Sequence, residues 1–225
     1  MDNNARRLAV VTGVCSGIGL ELARVCAHNS YDLVIAGHDP SVFDAAEELA
    51  AHGVTVSPVR CDLSQPEGVD ALRHAITACG KPADILVANA GREALGSDTN
   101  ARLTDARAYI EGTINLIDQV SRSMRGRGHG RILITYAIAG LMPQSTQAVH
   151  ASNKAFLDSF SAALSRELKH TGVRVSCLAA GVGAMSVLER PASPSVALAG
   201  PHAQASVVAY RSQMASPIPA QTTTS

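Results

Sequence analysis

Short, strongly apolar runs alternate with longer amphipathic stretches through most of this chain, and this alternation limits the folds open to it. Runs rich in β-branched residues predict buried strands, and apolar residues at helical spacing predict the helices between them. This succession is typical of a parallel sheet with helices on both faces, so we predict a doubly wound α/β fold. The predicted strands lie at 7–13, 32–38, 54–63, 84–91, 131–140 and 173–181, and the predicted helices near 17–29, 41–52, 66–79, 101–126 and 151–170.

The length of the chain favours one domain over two. Its 225 residues, 46% of them hydrophobic, are enough to bury one substantial core. We predict a single domain over residues 1–200, one further helix over 201–215, and a disordered low-complexity tail over 216–225.

Charge and cysteine content exclude several classes of function. Nineteen basic residues balance nineteen acidic ones, so the chain has no net field to attract nucleic acid or an anionic membrane. No apolar run approaches the roughly 20 residues of a membrane span, and the first one is too short for a signal peptide. The five cysteines form no C-x-x-C pair and no zinc-like group with histidine. We therefore expect a cytoplasmic protein with reduced thiols, no metal and a small-molecule substrate.

A glycine-rich loop joins the first predicted strand to the first predicted helix. Its sequence, TGVCSGIG over Thr12–Gly19, has glycines at 13, 17 and 19. Glycine lets the backbone turn sharply and approach a pyrophosphate, which would then contact free N–H groups at the start of the helix. The loop therefore predicts nucleotide binding, although a tight strand-to-helix turn without a ligand would also explain it.

Further motifs follow in an order that resembles the short-chain dehydrogenase/reductase family of NAD(P)-dependent oxidoreductases. They are CDL at 61–63, ANAG at 88–91, GRILIT with a following AG at 130–140, and VRVSCLAAG at 173–181, with Lys154 on the last long helix. The similarity covers most of the chain. It implies a Rossmann-like sheet that binds NAD(P). The seventh strand usual in the family has no candidate in the proline-containing tail, so we expect six strands.

The resemblance implies contacts to the cofactor from several of these motifs. An acid at the end of the second strand usually selects NAD, and a nearby cation accommodates NADP. Here Gly37 and His38 occupy that place, which favours NADP over NAD and makes His38 a candidate neighbour of the phosphate. An exposed histidine without a role is the alternative. The candidate cofactor-binding residues are Thr12, Gly13, Ser16, Gly17, Ile18, Gly19, His38, Asp62, Leu63, Asn89, Ala90, Gly91 and Lys154.

Three of the four catalytic positions that the resemblance implies depart from the family. A tyrosine acid/base is expected four residues before Lys154, and His150 occupies that position. A serine is expected at Ala137 and an asparagine at Tyr109. Histidine is the commonest general acid/base, with an ordinary pKa near 6.5, so His150 and Lys154 are the catalytic candidates. The alternative for His150 is a helix residue beside an unused cleft, and the alternative for Lys154 is a solvated surface lysine.

These motifs leave three functions open. The first is an oxidoreductase that transfers hydride between NAD(P)(H) and a small carbonyl or alcohol with altered acid/base residues. The second is a pseudoenzyme that binds nucleotide, or only a partner subunit. The third is a non-redox enzyme in which Tyr109, Tyr136 and His150 form a new acid/base group. We favour the first. The resemblance also implies a homodimer or tetramer through the helices at 101–126 and 151–170, or a hetero-oligomer with an active relative.

Overall fold

The structure is a computed structural model that describes residues 6–15, 17–89, 99–137, 148–180 and 196–199. Within these residues there are seven strands and five helices. The strands are β1 (Leu8–Thr12), β2 (Asp32–Gly37), β3 (Val56–Arg60), β4 (Ala83–Asn89), β5 (Gly130–Ala137), β6 (Val173–Ala180) and β7 (Val196–Ala199). The helices are α1 (Gly17–His28), α2 (Ser41–Ala50), α3 (Pro66–Ala78), α4 (Thr99–Arg127) and α5 (Ala148–Glu167).

The strands form one parallel sheet in the order β3-β2-β1-β4-β5-β6-β7. Parallel neighbours need crossover connections, which the helices between consecutive strands provide. The strand order reverses at β1, which pairs with β2 on one side and with β4 on the other. In doubly wound sheets ligands bind beside such a reversal, outside the carboxyl ends of the strands.

The sheet separates two hydrophobic cores. Along β1, Ala9 and Val11 pack in one core while Leu8 and Val10 pack in the other, because successive side chains of a strand point to opposite faces. Helices α1 and α2 cover the first core, and α3, α4 and α5 cover the second. Burial on both faces explains why the strand sequences are continuous apolar runs rather than alternating ones.

The structure confirms the predicted fold class and contains the six strands and five helices predicted between residues 7 and 181; only their ends differ, where periodicity decides least. It corrects the expectation that a seventh strand is missing. The strand Val196–Ala199 pairs with β6. It lies before residues 201–225, the segment in which the sequence offered no candidate for a seventh strand. Its four residues, VALA, are too few to show a periodicity, so the pattern carries no signal there.

Two of the predicted segments lie outside this description. The helix predicted over 201–215 and the tail over 216–225 lie outside the described residues. No helix in the described parts of the chain is long and apolar enough to cross a membrane. In those same parts no three histidine, cysteine or acidic side chains are grouped as metal ligands would be.

Candidate functional site

A cleft opens at the carboxyl ends of β1 to β4, beside the reversal in strand order. Its cavity has a volume of about 160 Å³. It is lined by residues at or just after the ends of these strands and by one side chain from α4. These residues are Thr12, Gly13, Cys15, Ala36, Gly37, His38, Cys61, Asp62, Leu63, Asn89 and Tyr109. The structure thus brings six of the predicted cofactor-binding residues into one cleft.

The loop between β1 and α1 has room only for glycine at two positions. Gly13 has a φ of 68°, and a Cβ at this position would lie 2.6 Å from the side-chain nitrogen of Asn89. A Cβ on Gly19 would overlap the carbonyl group of Gly13. Gly17 and Ile18 begin α1, so the first N–H groups of the helix, which have no partner within it, lie beside the loop. This cradle fits a pyrophosphate group.

Asn89, the last residue of β4, joins the ends of three strands. Its backbone N–H donates to the Thr12 hydroxyl at 3.0 Å, and its side-chain N–H donates to the Gly13 carbonyl oxygen at 3.1 Å. The hydroxyl of Thr135, from β5, donates to the side-chain oxygen of Asn89. Since these bonds engage both ends of its amide, Asn89 contributes to the site by fixing the ends of β1, β4 and β5 beside one another.

The residues after β3 form one wall of the cleft. Asp62 accepts a hydrogen bond of 2.9 Å from the Ser64 N–H, and Leu63 is buried beside it. A Cβ on Gly68 of α3 would overlap the Asp62 carbonyl, and a Cβ on Gly112 of α4 would overlap the Leu63 carbonyl. Two helices therefore pack directly on the segment that carries the candidate cofactor-binding residues Asp62 and Leu63.

The end of β2 brings together a glycine, a thiol, a histidine and an arginine. A Cβ on Gly37 would overlap the sulfur of Cys15, which lies 3.7 Å from the Asp39 carbonyl oxygen. Gly37 is paired in register with Arg60 of β3. The Nε of Arg60 donates to the His38 carbonyl oxygen at 3.2 Å. The predicted phosphate neighbour, His38, is therefore accompanied by a second basic residue.

Tyr109 extends from α4 to the floor of the cleft. Its hydroxyl donates to the backbone carbonyl of Asn89 at 3.0 Å, and its ring packs against the second core. The position where the family has an asparagine thus carries a phenol bonded to the end of β4. The side chains of Tyr136 and His150 lie outside the described residues, so an acid/base group shared with Tyr109 stays a prediction.

The catalytic candidates lie on the backbone that follows the carboxyl end of β5. That strand ends at Ala137, and α5 begins at Ala148, so His150 and Lys154 are both in its first turns. One helical turn, about 6 Å along the axis, separates the two positions. Ser16, Ala90, Gly91 and the side chains of Ala137, His150 and Lys154 lie outside the described residues, so their assigned contacts stay predictions.

Sequence reasoning missed three residues that line this cleft, Cys15, Ala36 and Cys61, and one that lies beside it, Arg60. Cys15 lies inside the glycine-rich loop, and its position between Gly13 and Gly17 was a sufficient signal to include it. Arg60 comes to the cleft through the pairing of β2 with β3, and the sequence does not specify that register.

The family model for short chain dehydrogenases matches residues 7–193, a range that includes the sheet from β1 to β6 and the whole cleft. The chain therefore belongs to the short-chain dehydrogenase family, a family of oxidoreductases that use NAD(P). The resemblance drawn from the motifs is confirmed.

Individual relatives agree with this membership. An oxidoreductase of Myxococcus xanthus (strain DK1622) is 32% identical over 189 residues, which cover 80% of this chain and 74% of the relative. Human 17-beta-hydroxysteroid dehydrogenase type 1 is 31% identical over 193 residues, and the match covers 79% of this chain but only 57% of the human enzyme. The solved L-sorbose reductase of Gluconobacter frateurii, complexed with NADPH and L-sorbose, is 30% identical with a TM-score of 0.71 over 79% of this chain and 70% of that one. The predicted preference for NADP over NAD agrees with this NADPH complex.

Proposed function

We propose that the chain transfers hydride between NADP(H) and a small carbonyl or alcohol, with His150 in place of the family's tyrosine. The glycine loop is the observation that carries this proposal. Gly13 and Gly19 leave no room for a Cβ, and Asn89 holds the loop against β4. Backbone that is bare and fixed in this way suits the close approach of a pyrophosphate. Family membership and the NADPH-bound relative support the same cofactor.

The chain's own part in the reaction is to position the reactants and to supply a proton. When bound, NADPH supplies a hydride to the carbonyl carbon of the substrate. Lys154 holds the nicotinamide ribose, and the protonated imidazole of His150 gives its proton to the carbonyl oxygen, so that an alcohol forms. Ala137 offers no hydroxyl to that oxygen, and the loss of one such donor costs on the order of 10²–10³ in rate. We therefore expect slow turnover.

A nucleotide-binding pseudoenzyme is the second candidate, and Tyr109 is the observation that favours it. Its phenol stands where the family has an asparagine of the proton relay, and it is bonded to the Asn89 carbonyl. A chain with this replacement can keep the nucleotide cleft, which Tyr109 itself helps to line, and lose turnover, because a phenol at this position lacks the amide of the family's relay.

Binding and turnover, measured separately, distinguish the two candidates. NADPH and NADH are first titrated by fluorescence, and NADPH oxidation is then followed with a panel of small ketones and quinones. The oxidoreductase proposal expects NADPH binding and a turnover that His150→Ala abolishes. His170→Ala, an exposed histidine in the turn after α5, is the matched control and should keep both. Binding without turnover supports the pseudoenzyme, and a failure to bind either nucleotide contradicts both candidates.

Restoring the family's residues tests the assigned acid. The double variant His150→Tyr/Ala137→Ser should raise carbonyl reduction, because it supplies a phenol acid and a hydroxyl donor to the carbonyl. Adding Tyr136→Gly removes a bulky residue from the position beside Ala137. Equal inactivity of wild type and both variants, with NADPH still bound, would end the oxidoreductase proposal. If wild type is faster than both variants and the His150→Ala variant has no activity, histidine is the working acid.

We also propose that the protein is a homodimer or tetramer through α4 and α5. Leu157 of α5, and Leu168 just after its end, are buried against the second core. On the same helix Phe156 is 44% exposed and stacks on Phe160, with ring centroids 6.2 Å apart. An exposed Phe156 that extends from the partly buried Phe160 supports a surface that meets a partner.

Light scattering at micromolar concentration tests the assembly. Phe156→Ser should lower the mass of the assembly. Phe43→Ser is the matched control, because Phe43 is 47% exposed on α2 and lies on neither helix. A monomeric wild type contradicts the proposal, and a larger complex formed only with an active relative would replace the homo-oligomer by a hetero-oligomer.

The proposed location is the cytoplasm. All five cysteines are free thiols, two of them buried. Free thiols persist in reducing compartments, which supports this location. Fractionation of cells that produce the chain tests it, and recovery outside the cytoplasm would contradict it.

A further inference from the structure

We propose that His28 and His52 form a surface site for a divalent transition-metal ion, such as Zn²⁺ or Ni²⁺, which joins the ends of α1 and α2. Its ligands are one ring nitrogen from each histidine and water molecules. The site lies near the amino ends of the strands, away from the glycine loop. It does not rest on the proposed oxidoreductase activity.

The two imidazoles come from different helices and lie against each other. His28 is the last residue of α1, and His52 lies in the turn after α2. Their ring centroids are 4.2 Å apart, and the ring planes are tilted by 44°. Both residues are exposed, so an ion can reach them from the solvent. The sequence places them far apart, so this pair exists only in the folded chain.

A backbone contact determines which nitrogen of His28 can bind a metal. Its Nδ1 lies 2.8 Å from the Arg24 carbonyl oxygen. A carbonyl oxygen can only accept, so Nδ1 carries the hydrogen, and the free lone pair of the neutral ring is on Nε2. Metal-binding histidines almost always donate their other ring N–H to such a carbonyl or to a carboxylate, which fixes the ring. His28 thus has the tautomer and the orienting bond of a ligand that binds through Nε2.

The other ring nitrogens of the pair are open to an ion. Within the parts of the chain that the structure describes, the Nε2 of His28 and both ring nitrogens of His52 have no hydrogen-bond partner. The backbone of His52 is held in place, because its N–H donates to the Leu49 carbonyl oxygen at 3.1 Å. Rotation of the exposed ring can therefore bring one of its nitrogens beside the Nε2 of His28 without moving α2.

The pair lies at the negative ends of two helices. Helix α1 ends at His28, and α2 ends at Ala50, two residues before His52. The last carbonyl groups of a helix have no partner within it and carry partial negative charge, which attracts a cation. Two adjacent imidazolium ions would repel each other, whereas a single metal ion between two neutral rings meets no such repulsion. The position therefore favours one shared cation.

The arginines near the pair have acidic partners. Arg24 of α1 bonds to Glu21 of the same helix, and its Nε donates to Glu48 Oε1 of α2 at 2.5 Å. Arg6 donates to a backbone carbonyl in the turn after α2 at 2.6 Å and lies 3.9 Å from the Asp32 carboxylate. The bond from Arg24, and less strongly the charge of the nearby turn histidine, lower the pKa of Glu48. Paired arginines and an ionised carboxylate leave the site open to a cation.

The chemistry of the donors decides which metals fit. Imidazole nitrogen suits Zn²⁺, Ni²⁺ and Cu²⁺, whereas Ca²⁺ and Mg²⁺ take oxygen ligands. No third histidine, cysteine or acidic side chain of the described residues joins this pair in a metal-binding group. Water therefore fills the remaining positions, and the site binds more weakly than a structural zinc site with four protein ligands. Its effect is to tie the end of α1 to the end of α2.

Calorimetric titration of the full chain with Ni²⁺ and Zn²⁺ tests the site. Wild type should bind one ion that His28→Gln and His52→Gln each weaken at least about tenfold, because glutamine is polar but has no imidazole nitrogen. His74→Gln, an exposed histidine on α3, is the matched control and should keep the affinity of wild type. Mg²⁺ should not bind at this site. Absence of binding overturns the proposal, and so does an affinity that survives both substitutions, which would belong to other groups such as the thiols.

Two further measurements locate the ion. Ni²⁺ should raise the midpoint of thermal unfolding of wild type and His74→Gln but not of the other two variants, because an ion that binds only the folded state stabilises it. Ni²⁺ should also slow the acylation of His28 and His52 by diethyl pyrocarbonate several-fold and leave that of His74 unchanged, as measured by mass spectrometry. If Ni²⁺ stabilises all four proteins equally, or protects His74 as strongly, the pair is a ring contact without a metal and the proposal is overturned.

Discussion

We call the amino ends of the parallel strands the amino edge of the sheet, and their carboxyl ends the carboxyl edge. The two edges differ in how their polar groups are bonded. At the amino edge, polar side chains pair with one another: Lys81 Nζ lies 2.5 Å from Asp32 Oδ2, and His129 Nε2 lies 3.2 Å from Asp84 Oδ1. At the carboxyl edge, bare glycine backbone surrounds a cleft, and Arg60 keeps Nη donors that no described acceptor engages. The amino edge bonds these side chains to one another, which contributes to stability. The carboxyl edge leaves donors and space for a ligand.

Cavity size by itself would assign the ligand site to the amino edge. A groove of about 580 Å³ lies at the amino edge beside Asp32, Cys79 and Lys81, and it is larger than the cleft of about 160 Å³. Its charged groups already bind each other, and it lies at the opposite ends of the strands from the glycine loop. Available donors at the carboxyl ends of the strands are therefore a better guide to the ligand than volume is.

The largest effect is expected at Gly19, on the carboxyl edge. Gly19→Val places a branched side chain against the Gly13 carbonyl, so the loop cannot keep its place beside β4. We expect NADPH binding to be lost and the free energy of unfolding to fall by about 1–3 kcal/mol. Fluorescence titration and urea denaturation measure the two. Gly126→Ala is the control, since a Cβ there meets no atom within 4 Å. Wild-type affinity in Gly19→Val would contradict the assignment of this loop to the nucleotide.

The corresponding change at the amino edge removes Lys81. Burial disfavours the charge of Asp32, but hydrogen bonds from Lys81 and from the Thr55 N–H outweigh burial and lower its pKa. Lys81→Met should lower the free energy of unfolding by about 2 kcal/mol at pH 7, less than for a fully buried pair because Arg6 remains 3.9 Å from the carboxylate. The dissociation constant of NADPH should not change. A variant that loses NADPH affinity as strongly as stability would remove the distinction between the edges.

The same ion pair predicts the sign of an acid effect. A carboxylate with a lowered pKa in the folded state stabilises the fold above its ordinary pKa of 3.8, and this contribution disappears as pH falls through the lowered value. The advantage of wild type over Asp32→Asn in unfolding free energy should therefore be complete at pH 7 and shrink below about pH 4. Urea denaturation at several pH values measures it. An advantage that grows on acidification would contradict the sign.

The alkylation rates of two cysteines allow the two edges to be compared without any substitution. Cys15 lines the cleft and Cys79 lines the amino-edge groove, and both are partly exposed. Bound NADPH should slow the alkylation of Cys15 by iodoacetamide several-fold and leave that of Cys79 unchanged, because only the cleft is then covered. Mass spectrometry of the labelled peptides measures both rates. Protection of Cys79 but not of Cys15 would place the nucleotide at the wrong edge.

Two further thiols should react slowly in that experiment, and Cys26, which is buried away from the cleft, serves as its internal reference. Burial raises the pKa of Cys26 to about 12, and burial together with the nearby Asp62 and Cys15 raises that of Cys61 to about 11. The thiolate is the form that reacts. Both cysteines should therefore react far more slowly at neutral pH than an ordinary thiol, and fast labelling of Cys26 would mean that the protein had unfolded.

The fold was predictable because it depends on local patterns. Strands buried on both faces are apolar runs, and the helices between them repeat apolar residues at helical spacing, so each element can be found without its neighbours. The strand Val196–Ala199 was missed because four residues cannot show a period. Its place depends on pairing with β6, which is a long-range contact.

Only those parts of the site whose residues lie within one short segment of the sequence were predictable. The glycines at 13, 17 and 19 mark their loop by themselves. Arg60 reaches the cleft through the register of β2 and β3, which no single segment contains. The bond from Tyr109 to the Asn89 carbonyl depends on the place of α4, and that place is fixed by the contact of Gly112 with the Leu63 carbonyl. Distances between elements, rather than residue types, are what the sequence lacked.

The smallest effect compares one tyrosine from each edge. Tyr109 donates to the Asn89 carbonyl beside the cleft. Tyr31, just before β2, is buried, and burial raises its pKa more than the nearby Arg7 lowers it. Tyr109→Phe and Tyr31→Phe each remove one hydroxyl, and each should lower the free energy of unfolding by about 1 kcal/mol. Urea denaturation measures both losses.

Nucleotide affinity should separate these two variants although their stabilities are alike. The hydroxyl of Tyr109 holds the carbonyl of the residue that fixes the glycine loop, so Tyr109→Phe should weaken NADPH binding by about two- to threefold. Tyr31 lies at the far ends of the strands, so Tyr31→Phe should leave the dissociation constant unchanged. Equal shifts in both variants would mean that affinity follows overall stability, and the two edges would then act as one unit. A shift in Tyr109→Phe alone would show that loosening the carboxyl edge reaches the nucleotide while an equal loss of stability at the amino edge does not.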